Sequence, residues 1–226
     1  MRSFVDELPL IGPASPEGIR GALALVFRGL PEREGAERLE SLCEGIEAGT
    51  VSPEGVIEAR RQGRLVGAAF WQVQVGRTAM LWPPRRVPDE PAQTAQRLLE
   101  ACLAMLAARQ VELVHAMVEP GSRPDSQLLQ DAGFAHLADL LYLVSVDGDF
   151  PQSEPSGALE YEAYSPDEHD RLKRLVEATY EQTLDCPALD GLRDMEDVLR
   201  GYRAMGVFSP DPVSYTHLTL PTILRV

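Results

Sequence analysis

The stretch VIEARRQGRLVGAAFWQVQVGRTAMLW, residues 56–82, holds three runs of strand-forming residues divided by two short turns. Val56 to Arg60 is the first run, Arg61-Gln62-Gly63 the first turn, and Leu65 to Val75 the second, longer run. Gly76-Arg77 then turns the chain into Thr78 to Trp82. Apolar runs of this length with glycine between them are what an antiparallel meander requires, because a two- or three-residue connection can only reverse the chain onto its neighbour.

Moving outward toward the carboxyl terminus, Pro83, Pro84, Pro88 and Pro91 break the regularity. A helix is expected from Pro91 to Arg109, since Leu98, Leu99, Cys102, Met105 and Leu106 recur at helical steps. Val111 to Val118 reads as a strand, Asp125 to Ala132 as a short helix stopped by Gly133, and Leu137 to Val146 as a last strand. Toward the amino terminus, Ser15-Pro16-Glu17 opens a helix with its stripe on Ile19, Leu23, Val26 and Leu30. A second helix spans Glu32 to Ala48 and stops at Gly49. The order is two helices, three strands, helix, strand, helix, strand. That order indicates an α+β fold, a mostly antiparallel sheet flanked by helices.

Beyond Asp147 the texture changes. Residues 150–157, FPQSEPSG, are linker-like. The pattern then restarts, with a strand expected over Leu159 to Tyr164. Ser165-Pro166-Asp167 repeats Ser15-Pro16-Glu17 and Leu175-Val176 repeats Leu25-Val26, both 150 positions on. Helices are expected from Glu168 to Gln182 and from Asp194 to Met205. Their apolar face, which includes Leu172, Leu175, Val176, Leu184, Leu192, Val198 and Leu199, awaits strands that do not come after it. The last fifteen residues, PVSYTHLTLPTILRV, contain no acid and three threonines, whereas the preceding 211 residues hold five. They resemble translated sequencing-adapter DNA; the competing reading is a β-rich tail.

Composition excludes several classes. A net charge of −14 opposes wrapping of nucleic acid or an anionic membrane, both of which need a basic stripe. No apolar run approaches the ~20 residues of a membrane helix, and the amino terminus lacks a signal-peptide core. Cys43, Cys102 and Cys186 are odd in number and widely spaced, which argues against a disulfide framework or a metal site and for a reducing, cytoplasmic location.

The run from Gly63 to Val146 resembles the GNAT superfamily of acetyl-CoA-dependent N-acyltransferases. The resemblance rests on the meander, the proline-broken link into Leu98-Leu99-Glu100-Ala101, and the phrase Leu128-Leu129-Gln130-Asp131-Ala132-Gly133-Phe134. It implies a GNAT-like domain over residues 1–149 and the truncated start of a second such domain over 158–211; the compositional linker over 150–157 and the adapter-like, non-native tail over 212–226 complete the division. It also implies acetyl-CoA as cofactor, lying in a split between two central strands with its pyrophosphate at a helix amino terminus. A small-molecule or peptide amine would be the acceptor. Self-association is expected through the truncated second domain.

Against that pattern, the pyrophosphate loop falls on Glu90, Gln93 and Ala95. Glu90 sets a negative charge, and Gln93 a side chain, where the family has a neutral or basic residue and a glycine. The resemblance thus gives cofactor-binding candidates at Trp82, Arg85, Arg86, Gln93, Thr94, Ala95 and Gln96. The arginines are either phosphate ligands or solvated loop residues. Trp71 and Trp82 line either core or cleft. Where many relatives carry a tyrosine that protonates the leaving thiolate, this chain has Leu129; Tyr142, on the following strand, is either the candidate acid or a core tyrosine. Glu119 is the candidate base, with a rim carboxylate as its alternative, and His115 is either a core residue or catalytic. Two functions are expected as alternatives: acyl transfer from acetyl-CoA to an amine, or a non-catalytic GNAT-like domain that supports a catalytic partner copy.

Overall fold

In the computed structural model, residues 8–140, 165–181 and 187–205 are described. They belong to two compact units, Met1–Ala135 and His136–Val226.

The first unit is built on five strands in sequential order: β1 (Leu10–Pro13), β2 (Val56–Arg61), β3 (Arg64–Gln74), β4 (Thr78–Arg86) and β5 (Leu113–Ala116). The first three pairings are antiparallel, and β4 and β5 run parallel. The meander is thus as expected, and the sheet is mostly antiparallel. Its first hairpin turns on Gln62 and Gly63 and its second on Gly76 and Arg77, all with positive φ, so the two glycines fall where an ordinary side chain is strained. Strand β1 was not expected from the sequence, because Leu10 to Pro13 is too short, and too closely flanked by prolines, to show alternation. Strand β5 is shorter than the expected Val111 to Val118. Residues 137–140 are not a strand, and the rest of the expected last strand lies outside the described residues.

Alternation along β3 sorts its side chains between two cores. Ala69 and Trp71 face one way, onto Leu98, Leu99, Cys102 and Leu106 of α3 (Gln93–Ala108) and Leu129 of α4 (Arg123–Asp131). Ala68 and Phe70 face the other way, onto Leu23 and Val26 of α1 (Ile19–Val26) and Cys43 of α2 (Glu32–Glu47). Helices therefore cover both faces. The first helix is shorter than its apolar stripe suggests. Residues 16–18 form a turn in which the Ser15 hydroxyl accepts the Gly18 N–H at 3.2 Å, and Phe27–Gly29 close it as a 3₁₀ turn.

The pairing of β3 with β4 contains one irregularity. Phe70 pairs with Trp82, but Ala68 pairs with Arg85, so β4 carries an extra residue at Pro83-Pro84. Two successive prolines remove two backbone donors, and a bulge is where a sheet tolerates that loss.

In the second unit α5 (His169–Tyr180) and α6 (Met195–Met205) pack through Val176, Met195, Val198 and Leu199. Both helices fall where the sequence places them. The expected linker, the strand over Leu159 to Tyr164 and the terminal tail lie outside the described residues.

Candidate functional site

Parallel pairing between β4 and β5 runs from Thr78↔Leu113 to Leu81↔Ala116 and stops there, while β4 continues along β3 to Arg86. A gap therefore begins beyond Leu81 and Ala116. Its rim is formed by the end of β4, the loop leading to α3, and the start of α4.

The loop is organised around Glu90, which is 7% exposed. Arg61, at the end of β2, donates from Nη2 to Glu90 Oε1 at 2.7 Å. The Thr94 hydroxyl donates to the same oxygen at 2.6 Å. Burial pushes this carboxyl up, but the Arg61 and Thr94 hydrogen bonds, with the charges of Arg61 and Arg86, outweigh it and hold the pKa below the ordinary carboxylate value. Glu90 is therefore an anion fixed just ahead of α3. Arg86 turns to the same loop, with Nη1 donating to the carbonyls of Pro88, at 3.1 Å, and Glu90.

Arg85 is committed elsewhere. Both of its terminal nitrogens donate to the carboxylate of Asp125 in the first turn of α4, Nη2 to Oδ2 at 2.9 Å. The Ser122 hydroxyl donates to Asp125 as well, at 2.7 Å.

The remaining candidates are scattered. Gln93 and Gln96 are exposed on the first turns of α3, whereas Thr94 and Ala95 point into the protein. Thr94, expected among the cofactor ligands, is 2% exposed and gives its hydroxyl hydrogen to Glu90. Trp82 is half-buried, stacked on Phe70 with ring centroids 4.7 Å apart and edge-on to Phe27. Trp71 is buried in the opposite core beneath Arg109. Leu129 is buried and has no proton to give. Glu119 is exposed in the connection between β5 and α4, where its carbonyl accepts the Ser122 N–H. His115 is half-buried on β5, and Tyr142 lies outside the described residues. Burial pushes the Cys102 thiol up to about 12, which leaves it protonated and inert. Among the described residues no cluster of His, Cys, Asp or Glu is arranged to hold a metal ion, and no helix is long and apolar enough to cross a membrane.

The residues that set this geometry without being anticipated are Arg61, Ser122 and Asp125. Ser122 and Asp125 do carry a signal, since a serine three residues ahead of an acid is the spacing of a helix start. Arg61 carries none, because its partner is 29 residues away.

No protein-family model matches the chain, and no curated protein matches it. Solved structures do. The ribosomal-protein-S18-alanine N-acetyltransferase from Escherichia coli is 18% identical over 58% of this chain and 80% of its own, with a TM-score of 0.46. An aminoglycoside antibiotic 6'-N-acetyltransferase from Acinetobacter haemolyticus is 13% identical over 61% of this chain and 98% of its own, with a TM-score of 0.49. A GNAT family acetyltransferase from Brucella melitensis, in complex with acetyl-CoA, is 18% identical over 69% of this chain and 96% of its own, with a TM-score of 0.43.

Proposed function

We propose that the protein is an acyl-CoA-dependent N-acyltransferase of the GNAT type, acting on an amine, in which the first unit serves as a supporting copy that does not grip the cofactor itself. The class rests on the resemblance of residues 63–146. The meander, the gap between the parallel strands β4 and β5, and the Gly133-Phe134 stop after α4 agree with it. The role of the first unit rests on one observation, the buried Glu90 carboxylate at the start of α3.

A diphosphate at that helix start would stand beside a fixed negative charge. Arg61 and Arg86 balance that charge, but the donors that face it are taken, those of Arg61 by the Glu90 carboxylate and that of Arg86 by the loop carbonyls. The residues present thus do not fit a pyrophosphate, and no catalytic step is assigned to this unit. Glu119 remains a candidate base and Tyr142 a candidate acid only in so far as an acyl donor reaches the gap by another route.

The catalytic partner in this reading is a second copy of the fold, whose start we assign to residues 158–211. In its favour, α1 begins at Ile19 and α5 at His169, 150 positions apart, each just after a Ser-Pro-acid turn. The test is calorimetric titration of the chain with acetyl-CoA. We expect a dissociation constant weaker than roughly 1 mM, worth about 4 kcal/mol. Binding near about 1 μM, worth ~8 kcal/mol, overturns the supporting role and returns the first unit to catalysis.

A further inference from the structure

The far end of the gap between β4 and β5 is spanned by side chains that the Glu90 loop does not involve. Arg85 lies four positions beyond Leu81, the last residue of β4 paired to β5. Its fork onto Asp125 joins the end of β4 to the start of α4, across the opening left where β5 has ended. Asp125 is 7% exposed, so its charge faces the guanidinium and the Ser122 hydroxyl rather than water. A Cβ placed on Gly29 would lie 3.1 Å from Arg85 Nη2, so the guanidinium also rests against the backbone that connects α1 to α2. Strand register puts Arg85 beside Ala68 and Trp82 beside Phe70, on the face that α1 and α2 cover. Phe27, two residues before Gly29, meets Trp82 edge-on.

We propose that the Arg85–Asp125 pair is a second closure of the gap, separate from Glu90, that excludes the uncharged acyl-thioester arm as Glu90 excludes the diphosphate. This rests on the reading of the gap as the place of an acyl-CoA. The two-pronged, charge-assisted pair joins three elements, and entry of a ligand between β4 and α4 requires it to part. A thioester arm carries no charge to replace either partner, so displacing the pair would leave the shielded Asp125 carboxylate without its cation. Discrimination of this kind is set by the two side chains alone.

Two readouts on the full chain separate the closure from the reading beneath it. The first is acrylamide quenching of tryptophan fluorescence. The chain has two tryptophans and Trp71 is 4% exposed, so a change in quenching reports Trp82 beside the gap. In the Arg85→Ala/Asp125→Ala variant we expect quenching to rise roughly twofold as the connector over Trp82 loosens. The second is calorimetry with acetyl-pantetheine, the arm without its nucleotide, and with adenosine 3′,5′-bisphosphate, the nucleotide without its arm. We expect the variant to bind acetyl-pantetheine ~10-fold more tightly than the parent and the nucleotide no differently. Unchanged quenching in the folded variant overturns the closure, and so does a parent that binds acetyl-pantetheine as tightly as the variant. Increased quenching with acetyl-pantetheine bound by neither protein leaves the closure standing and overturns the gap as an acyl site. Should the double variant not fold, Asp125→Asn keeps the shape and the Ser122 contact but loses the charge. A smaller rise in quenching is then expected, and its absence overturns the proposal.

Discussion

At the scale of single residues, the pair Arg61–Glu90 is the most informative. Both side chains are largely withdrawn from solvent, at 13% and 6% exposure. Removing one partner strands the other charge, at a cost of about 3–5 kcal/mol, whereas replacing both with apolar groups of similar volume is often close to neutral. Glu90→Ala should therefore lower the stability of the first unit far more than Arg61→Met combined with Glu90→Leu, and urea denaturation of the two variants measures the difference. A Glu90→Arg change would set a second guanidinium against Arg61, so it is a poor way to reopen the loop. The same pair fixes a pH dependence. Because the folded carboxyl sits below its ordinary value of 4.5, its contribution is fully present above that value and is lost as pH falls through the lower folded one. Between about pH 6 and about pH 3 the parent should lose more stability than the variant lacking both partners. Parallel loss in the two would mean that Glu90 contributes nothing through its charge.

At the scale of elements, the helices and the meander were legible because each carries its own periodicity. Helix α2 spans Glu32–Glu47 against an expected Glu32 to Ala48, and Gly49 adopts a φ of +72°, as a helix stop requires. Strand β1 was not legible, since a four-residue strand owes its existence to the β2 edge it pairs with. The candidate site was legible only in part. The charge of Glu90 just ahead of α3 and the side chain of Gln93 in its first turn show in the sequence. That Arg61 and Thr94 would bury that charge, and that Asp125 would take Arg85, are outcomes of long-range packing that no local pattern encodes. The closest backbone approach is equally silent in sequence. A Cβ on Gly55 would come within 1.8 Å of the Trp71 carbonyl oxygen, a contact that only a backbone shift relieves. Gly55→Ala should accordingly cost about 1–3 kcal/mol or more, with the loss visible in the thermal melt. A neutral effect would show that the turn before β2 moves freely against β3.

For the whole molecule, the two units differ in how much core they possess. The first has two clusters, one on each face of a sheet. Among the described residues of the second, the core is a pair of helices meeting through four buried side chains, with Leu175 and Leu192 at 59% and 68% exposure. Two helices of that size rarely fold alone, since the apolar area they remove from water does not offset the chain entropy. Expressed separately, residues 1–150 should melt cooperatively and residues 151–226 should not, as monitored by circular dichroism. The full chain should scatter more light than the shorter piece, through its exposed leucines. A cooperative melt from 151–226 alone would refute the assignment of residues 158–211 to the start of a second copy that needs further strands to fold.

The bulge at Pro83-Pro84 reaches further than the local geometry of β4. Because the missing donors are a property of the covalent chain, any pairing of β4 with an extended β5 would lack a ladder bond at this point whatever the conditions. The aperture is set in the backbone, and the side chains around it are Arg85 bonded to Asp125 at the end of β4 and, in the loop leading to α3, Glu90 held by Arg61. A lineage, natural or selected in the laboratory, that needed this aperture open would have no backbone to rebuild. Library diversity confined to those four codons, selected for retention on an immobilised thioester, should be enough to recover ligand-binding clones.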